Sequence, residues 1–154
     1  MYPLPDINDT YDLSSDIPSE IFEEASIEAS IYDMALSKTL NEEQQSAYNE
    51  IMSAVDSNHG GLFFMDGPGS TEKTYLYRAM HPPICSRNKI VVATATSSVA
   101  ASIMPGGRTA HSRFKVPLTI DDGAFCCFTK QSGTTKLLRT ASLIIWYEVT
   151  MMKR

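Results

Sequence analysis

Residues 60–79 read GGLFFMDGPGSTEKTYLYRA and combine an apolar run, a glycine turn and a helical pattern, which together indicate the fold class. Its short apolar run at 62–65 is typical of a strand that is buried on both faces of a parallel sheet, and it leads directly into a glycine turn. The residues after the turn have helical spacing, which places Tyr75, Leu76 and Ala79 on one face. A strand, a glycine loop and a helix in this order predict an α/β unit with a phosphate-binding loop.

Three further segments extend this pattern along the chain. Residues 89–95 (KIVVATA) and 143–146 (LIIW) predict two more buried strands, and residues 97–104 (SSVAASIM) predict a small-residue helix between them. Strands that alternate with helices favour right-handed crossovers and a parallel sheet. The sequence therefore predicts an α/β fold, with residues 119–132 as a loop that holds only short pieces of structure.

Two of the predicted helices have clear boundary signals. Asn41 is a suitable N-cap for an amphipathic helix of about four turns, because apolar residues recur at helical spacing over residues 48–55. The helix after the glycine loop should begin near Glu72. We expect Pro82 and Pro83 to end it, since proline lacks the backbone N–H and clashes with the preceding turn.

Charge divides the 154 residues into two parts. The first 37 residues contain nine acidic side chains and no Lys or Arg, whereas the remainder contains 13 basic and 9 acidic side chains, a net charge of +4. With three prolines added, this composition favours an acidic, disordered tail over residues 1–37, in which Ser19 is a candidate N-cap of one short helix. A globular domain is expected over residues 38–154. Only this mildly basic domain suits a polyanionic partner.

Composition also excludes other classes of protein. No apolar run approaches the roughly 18 residues of a membrane helix, and acidic residues stand where a signal peptide would be basic. Cys85, Cys126 and Cys127 have the spacing of neither a disulfide framework nor a zinc site. We therefore expect an intracellular protein that is not secreted and has no membrane partner.

Residues 67–74 (GPGSTEKT) follow the phosphate-loop pattern G-x-x-x-x-G-K-[ST] except at one position. Lys73 matches the lysine that reaches the outer phosphates, and Thr74 matches the hydroxyl that holds magnesium, but Glu72 replaces a glycine. A carboxylate about 4 Å from one phosphate charge costs about 4 kcal/mol at an effective dielectric of about 20. The pattern predicts a nucleotide site that Glu72 weakens, and a simple glycine turn before a helix is the alternative.

The end of the run at 143–146 carries the second candidate element. In phosphate-loop ATPases an Asp at this place holds magnesium through water, and a following Glu orients the attacking water. Tyr147 and Glu148 occupy these two positions here. Glu148 suits the catalytic acid, although a solvated carboxylate after a strand is the alternative. Tyr147 is a neutral phenol at pH 7 and binds magnesium poorly.

Four segments together carry a family resemblance: LNEEQQSAY (40–48), the opening stretch at 60–79, KIVVATATSSVAASIMPGGRTAHSRFKVP (89–117) and LLRTASLIIWYE (137–148). In this order they closely resemble the Pif-family DNA helicases, including the helicase part of Helitron transposons. Residues 105–117 are the most specific part of the match. The resemblance implies an ATP-driven, magnesium-dependent motor that unwinds DNA, and a P-loop NTPase fold of the RecA-like type, with a parallel sheet, flanking helices and truncation after the third core strand.

The resemblance also implies functional positions in this chain. Lys73 and Glu148 would be catalytic, Thr74 and Glu148 would hold the metal, and Gln44 would recognise adenine, although a surface position on its helix is the alternative for Gln44. The nucleotide-binding positions would be Gln44, Gly67, Pro68, Gly69, Ser70, Thr71, Glu72, Lys73 and Thr74. The positions facing single-stranded DNA would be Thr94, Thr96, Ser97, Arg108, His111, Arg113, Phe114 and Lys115. For Phe114 a core position is an equal alternative.

Departures from the family pattern predict that the chain neither unwinds DNA nor hydrolyses ATP. Glu72 replaces a glycine and Tyr147 replaces an Asp, and we expect the second motor domain and its γ-phosphate arginine to be missing beyond Arg154. By resemblance the function is that of an ATP-dependent DNA helicase in DNA repair, recombination and telomere maintenance, with a nuclear location.

Three alternatives remain at this point. The first is a non-catalytic remnant that binds single-stranded DNA, an intact helicase or another protein partner. The second is another phosphate-loop fold such as a small kinase, which gives no reason for the segment at 105–117. The third is a marginally stable product of a decaying gene copy, because a truncated sheet leaves apolar strand edges uncovered.

Overall fold

The computed structural model describes residues 17–28, 30–66, 70–117, 123 and 125–147, with residues 70–72 described by their backbone alone. Seven helices and three strands are found in these ranges. The helices are α1 (Ser19–Ala25), α2 (Ile31–Leu36), α3 (Glu42–Asp56), α4 (Ser70–Cys85), α5 (Ser98–Ser102), α6 (Ala110–Phe114) and α7 (Gly133–Thr140). The strands are β1 (Ile90–Ala95), β2 (Arg108–Thr109) and β3 (Ala141–Tyr147).

The three strands form a parallel sheet in the order β2-β1-β3. All six residues of the central strand β1 are buried, as expected for a strand that has a neighbour on both sides and helices on both faces. The α/β fold and the parallel sheet predicted from the sequence are confirmed. The short strand β2, which was not predicted, extends the sheet beside the end of β1, where Thr94 lies opposite Arg108.

Alternate residues of β1 point to two different cores. Val91 and Ala93 face a large cluster formed with α3 and α4, whereas Ile90 and Val92 face a smaller cluster with Leu137 of α7. This alternation follows from the two-residue repeat of a strand. The α3 and α4 side chains in the large cluster are Ile51, Met52, Val55, Leu76, Met80 and Ile84.

Helix α3 confirms the prediction made from its sequence pattern. The Asn41 side chain accepts a hydrogen bond from the backbone N–H of Gln44 (2.8 Å), and the Gln44 side chain accepts one from the N–H of Asn41 (3.0 Å). This reciprocal capping box satisfies two N–H groups that a helix end otherwise leaves without a partner. The apolar face that ends at Val55 is buried, as its spacing predicted.

The prediction of a buried strand at residues 62–65 is wrong. These residues form no strand, and Leu62 is 99% exposed and Phe64 75% exposed. Within the described residues β3 pairs with β1 alone, so the segment is not paired with the edge of β3 that faces away from β1. A continuous apolar run forms a buried strand only when a neighbouring strand pairs with it. The run at 62–65 has no alternation of apolar and polar residues that would specify the register of such a pairing.

Pro82 and Pro83 do not end the helix that contains them. Helix α4 continues through both prolines to Cys85. The two residues lie in its last turns, where the lost N–H groups disrupt few bonds, and Ile84 beyond them is fully buried. Burial of Met80 and Ile84 offsets the local cost of the prolines, so tertiary packing overrides the sequence signal.

The strand predicted at 143–146 exists, but its burial is one-sided. Strand β3 covers Ala141–Tyr147, with Ile145 and Tyr147 buried and Ile144 44% exposed. The helix expected over 97–104 is confirmed as the shorter α5, with Ser97 as its N-cap. Two helices that follow, α6 and α7, were not predicted because each has at most eight residues, which is too short for a helical pattern to repeat.

The described residues before the domain do not behave as a solvated tail. Helices α1 and α2 pack on the rest of the fold, and the acidic side chains of Glu24 and Asp33 are each 4% exposed. Both carboxylates form ion pairs, Glu24 with Arg113 and Asp33 with Arg78. Pro18 rather than Ser19 occupies the N-cap position of α1. Opposite charge on the basic domain explains why these acidic residues are held against it.

Within the described residues, none of the helices has both the length and the apolar character needed to cross a lipid bilayer.

Candidate functional site

The candidate residues meet at one edge of the sheet. Because β1, β2 and β3 are parallel, their carboxyl ends at Ala95, Thr109 and Tyr147 lie at the same side. Ligands of open α/β sheets bind at this side. Two groups of candidate residues lie near it, one at the start of α4 and one formed by the ends of β1 and β2 with α6.

The start of α4 faces a large cavity beside the sheet. Lys73 and Thr74 lie in the first turns of α4 and are both partly buried. A cavity of about 850 Å³ is lined by Lys73, Asp66, the segment 58–66 and residues along β3 up to Tyr147. The volume is within the range of small-ligand sites. A cation and the end of β3 therefore share one cavity.

Tyr147, at the position where the metal's carboxylate was sought, is packed into the core. It is 2% exposed, and its ring meets the Tyr77 ring edge-on with a centroid separation of 5.9 Å. Burial, followed by the neighbouring Tyr147, raises the pKa of Tyr77. The Tyr77 phenol is thus neutral at pH 7. In the described part of the chain no three His, Cys, Asp or Glu side chains come together as a metal site.

The remaining nucleotide candidates are placed as follows. Gln44 is a capping residue of α3, as shown above, and its side chain does not line the cavity beside Lys73. Ser70, Thr71 and Glu72 are described only as helical backbone at the start of α4. Gly67, Pro68, Gly69 and Glu148 lie outside the described residues.

The structure gives several DNA candidates at the end of β1 roles inside the fold. Thr94 is fully buried, and its hydroxyl donates a hydrogen bond to the backbone carbonyl of Arg108 (3.1 Å), which fastens β2 to β1. The exposed Ser97 accepts a hydrogen bond from the N–H of Ala100 (3.1 Å) and caps α5. Thr96 is half-buried between them. Sequence reasoning predicted DNA contacts here but did not predict these structural bonds.

Arg108 and Arg113 are held by acidic side chains of α1. Arg113 is 3% exposed; its Nη1 lies 2.5 Å from Glu24 Oε1, and its Nη2 donates to the Gly106 carbonyl (3.0 Å). Arg108 forms an ion pair with Glu23, and both side chains are about half-exposed. Burial raises the pKa of the Glu24 carboxyl, and Arg113 opposes that rise.

The aromatic and remaining basic candidates lie on or next to α6. Phe114 stacks on Trp146 of β3, with ring centroids 5.0 Å apart and planes inclined by 35°. His111 is half-buried, and Lys115 is exposed at the end of α6 with a left-handed backbone (φ 51°). The Phe114 contact connects the DNA-candidate helix to the strand that ends at the nucleotide cavity.

Sequence reasoning missed the contribution of α1 to this region. Glu20, Glu23 and Glu24 were counted as part of an acidic tail, although their i, i+3, i+4 spacing places them on one face of a helix. That spacing was a usable signal. Nothing local in the sequence indicated that the partners would be Arg108 and Arg113, which lie more than 80 residues further along the chain.

The parallel sheet with its flanking helices is that of an α/β protein of the RecA-like phosphate-loop class. A family model described as PIF1-like helicase matches residues 39–154. The chain therefore belongs to the PIF1-like helicase family. It is 31% identical over 93 residues to the ATP-dependent DNA helicase PIF3 of Trypanosoma brucei brucei (strain 927/4 GUTat10.1). This match covers 60% of the chain but only 11% of the relative.

Proposed function

We propose that this chain is part of the first motor domain of an ATP-dependent DNA helicase, with a nucleotide site beside Lys73 and a single-stranded DNA surface on α6. The family match over residues 39–154 is the observation that carries the proposal. In support, Lys73 and the end of β3 share one cavity, and the basic side chains of α6 lie at the same edge of the sheet.

In this proposal the chain's own residues bind and orient the nucleotide. Lys73 would neutralise the outer phosphates, and the first N–H groups of α4 would point toward them, as helix amino termini do for anions. Magnesium, when bound, would neutralise phosphate charge, but the described donors do not fit it well. Thr74 supplies one hydroxyl, and Tyr147 places a buried phenol ring at the position of the expected carboxylate. No step is therefore assigned to the metal.

The buried position of Tyr147 also favours a second candidate function, which is ligand binding without catalysis. We propose that Glu72 and Tyr147 weaken ATP-magnesium binding so far that hydrolysis is absent, while the α6 surface keeps an affinity for single-stranded DNA. The packing of Tyr147 against Tyr77 supports this candidate. A phenol that is fixed in the core cannot turn, by a small rotamer change, to take the place of the missing carboxylate.

A ligand-induced thermal shift separates the two candidates. The wild type, Glu72→Gly and Glu72→Gly/Tyr147→Asp are each melted with and without ATP-magnesium, and Tyr147→Phe serves as the matched control that keeps the ring. Because Tyr147→Asp removes buried packing, the quantity compared is the rise in Tm on adding ligand, not Tm itself. A rise confined to the Glu72→Gly variants supports a weakened nucleotide site. DNA-stimulated ATP hydrolysis by the pure wild type would overturn the non-catalytic candidate.

Pathway and location are proposed on the family alone. We infer a role in DNA repair, recombination or telomere maintenance, in the nucleus, with an intact helicase as a candidate partner. Co-purification of the tagged full chain with chromatin, lost after nuclease treatment, would support this role. A chain that stays outside the nucleus in fractionated cells would contradict it.

A further inference from the structure

Helix α1 directs two carboxylates to arginines of the surface proposed for DNA and a third carboxylate to the start of α7. Glu23 pairs with Arg108 and Glu24 pairs with Arg113. Glu20 lies so close to Gly133, the first residue of α7, that a Cβ added at Gly133 would collide with its carboxylate. The three acids share one face of α1, whereas Phe22 on the other side is 66% exposed. This face places two negative charges on the arginines that DNA phosphates would contact if the proposed surface binds DNA.

The contact extends to the turn before β2. Gly106 has a left-handed backbone (φ 62°), and a Cβ at this position would collide with Ile27 just after α1. Arg113 donates to the carbonyl of the same Gly106. The residues after α1 therefore cover the PGG turn as well as the arginines. Among the eight candidate DNA-contacting residues, Arg108 and Arg113 are thus the two arginines, and both form ion pairs with this segment.

The ion pair between Glu24 and Arg113 leaves two buried polar atoms without hydrogen bonds within the described part of the chain. Glu24 Oε2 and Arg113 Nε are buried and have no hydrogen-bond partner among the described residues. A buried ion pair that leaves polar atoms unpaired gains little over its desolvation cost. The apolar anchoring of α1 itself is small, because Ile21 is its one side chain that packs on the cluster of Ile90, Val92 and Leu137. These features are typical of an element that opens at low cost.

We propose that α1 is an internal competitor of single-stranded DNA, whose carboxylates occupy Arg108 and Arg113 in the closed chain and leave when DNA phosphates bind there. The proposal rests on the DNA-binding function proposed above and adds its regulation. The carboxylates of α1 and the phosphates of DNA compete for the same guanidinium groups, since both are anionic acceptors suited to the arginine fork.

Such competition lowers the apparent affinity for DNA in proportion to the fraction of open molecules. If α1 is released in about one molecule in ten, the apparent dissociation constant is about tenfold higher than that of the open chain. A change that weakens the α1 contact should therefore tighten DNA binding. A change of equal charge elsewhere in the same segment should have a smaller effect, caused by general electrostatics alone.

The test is fluorescence anisotropy of a labelled oligothymidylate with the full chain at low salt. Glu23→Lys removes the half-exposed pair with Arg108, and Glu28→Lys is the matched control, because Glu28 is exposed and forms no ion pair among the described residues. Both variants change the charge equally. We expect Glu23→Lys to bind up to about fivefold more tightly than Glu28→Lys, which is the gain that loss of a half-exposed ion pair allows. Glu24→Lys extends the series at the buried pair, with far-ultraviolet circular dichroism as the check that it folds.

Hydrogen exchange supplies a readout that a purely structural α1 would not give. Saturating the wild type with the oligonucleotide should remove protection from amides in residues 19–25, while those in residues 42–56 of α3 keep theirs. Equal affinities of Glu23→Lys and Glu28→Lys, or retained α1 protection in the saturated complex, would overturn the competition and leave DNA binding intact. If no variant, Glu24→Lys included, binds the oligonucleotide at low salt, the DNA surface itself is wrong and the competition falls with it.

Discussion

The two candidate surfaces of this protein differ in how they are held. At the DNA-candidate surface, β2 and α6 are held by a buried ion pair, a hydrogen bond from the Thr94 hydroxyl to the Arg108 carbonyl, and the stacking of Phe114 on Trp146. At the nucleotide-candidate surface, residues 62–65 lead into the glycine loop without strand pairing and with Leu62 fully exposed. The surface expected to bind a mobile polymer is thus covered by contacts within the chain, whereas the surface expected to bind a small ligand begins with a segment that is not paired in the described sheet.

A family motif can therefore be present in the sequence without the structural elements that normally support it. The loop lysine is present at the nucleotide side, but the strand that should precede it is not formed in the described residues. At the other side the arginines are present and form ion pairs, but these pairs already neutralise their charge with carboxylates of α1. Motif content alone would have ranked the two surfaces equally.

A large effect should come from breaking the buried pair at the DNA-candidate surface. Arg113→Ala removes the cation of Glu24 and the donor to the Gly106 carbonyl, and α1 can then open and return the carboxylate to water, so we expect a loss of about 2–4 kcal/mol in the free energy of unfolding. The matched control is Arg87→Ala, because Arg87 and Asp56 form a pair in which both side chains are almost half-exposed. Exposed pairs contribute about 0–1 kcal/mol. Urea denaturation measures both; equal losses would show that the Glu24–Arg113 contact does not hold this surface.

The second prediction compares one leucine from each kind of environment. Leu76 is fully buried between α4 and the sheet, so Leu76→Ala should cost about 2–5 kcal/mol through lost burial and a cavity. Leu62 is 99% exposed, so Leu62→Ala should change the free energy of unfolding by no more than about 0.5 kcal/mol. The same urea titrations apply. A loss well above 1 kcal/mol for Leu62→Ala would mean that residues 62–65 are buried after all, as a strand would be.

These contrasts also show which parts of the molecule the sequence could predict. The N-cap at Asn41, the apolar run of β1 and the small-residue helix α5 depend on local signals, and all three were predicted. The parallel arrangement followed from element order alone. The run at 62–65 failed because a strand needs a partner as well as apolar residues, and the prolines failed because Ile84 anchors the last turn of α4.

The candidate site was less accessible to sequence reasoning for a different physical reason. The identities of Arg108, Arg113 and Phe114 could be read from one segment, but their partners Glu23, Glu24 and Trp146 come from distant parts of the chain. No periodicity encodes a contact across more than 80 residues. Tyr147 was recognised as a departure from the family pattern, yet its packing against Tyr77 required the fold.

A third prediction separates structural from DNA-contacting residues within the same surface. Thr94→Val removes the hydroxyl that bonds to the Arg108 carbonyl and should cost about 1 kcal/mol of stability, with oligonucleotide affinity unchanged. Lys115 is exposed at the end of α6, so Lys115→Gln should leave stability within about 0.5 kcal/mol and weaken binding. Thermal melts and anisotropy on both variants check the division. Weaker binding by Thr94→Val with unchanged stability would return Thr94 to the DNA-contacting set.

The smallest effects are two opposite pH dependences, one in α1 and one in α4. Burial raises the pKa of Glu24 from its ordinary value of 4.5, with Arg113 opposing the rise, and burial lowers the pKa of His81 from 6.5, with Asp33 opposing that fall. The folded state therefore binds the Glu24 proton more tightly than the unfolded state, and the His81 proton less tightly. Relative to Glu24→Gln, the wild type should lose stability as pH rises above 4.5 through the raised pKa. Relative to His81→Gln, it should lose stability as pH falls below 6.5. Urea titrations between pH 4 and pH 8 measure both differences, and slopes of the same sign would show that one of the two groups is not desolvated in the folded chain.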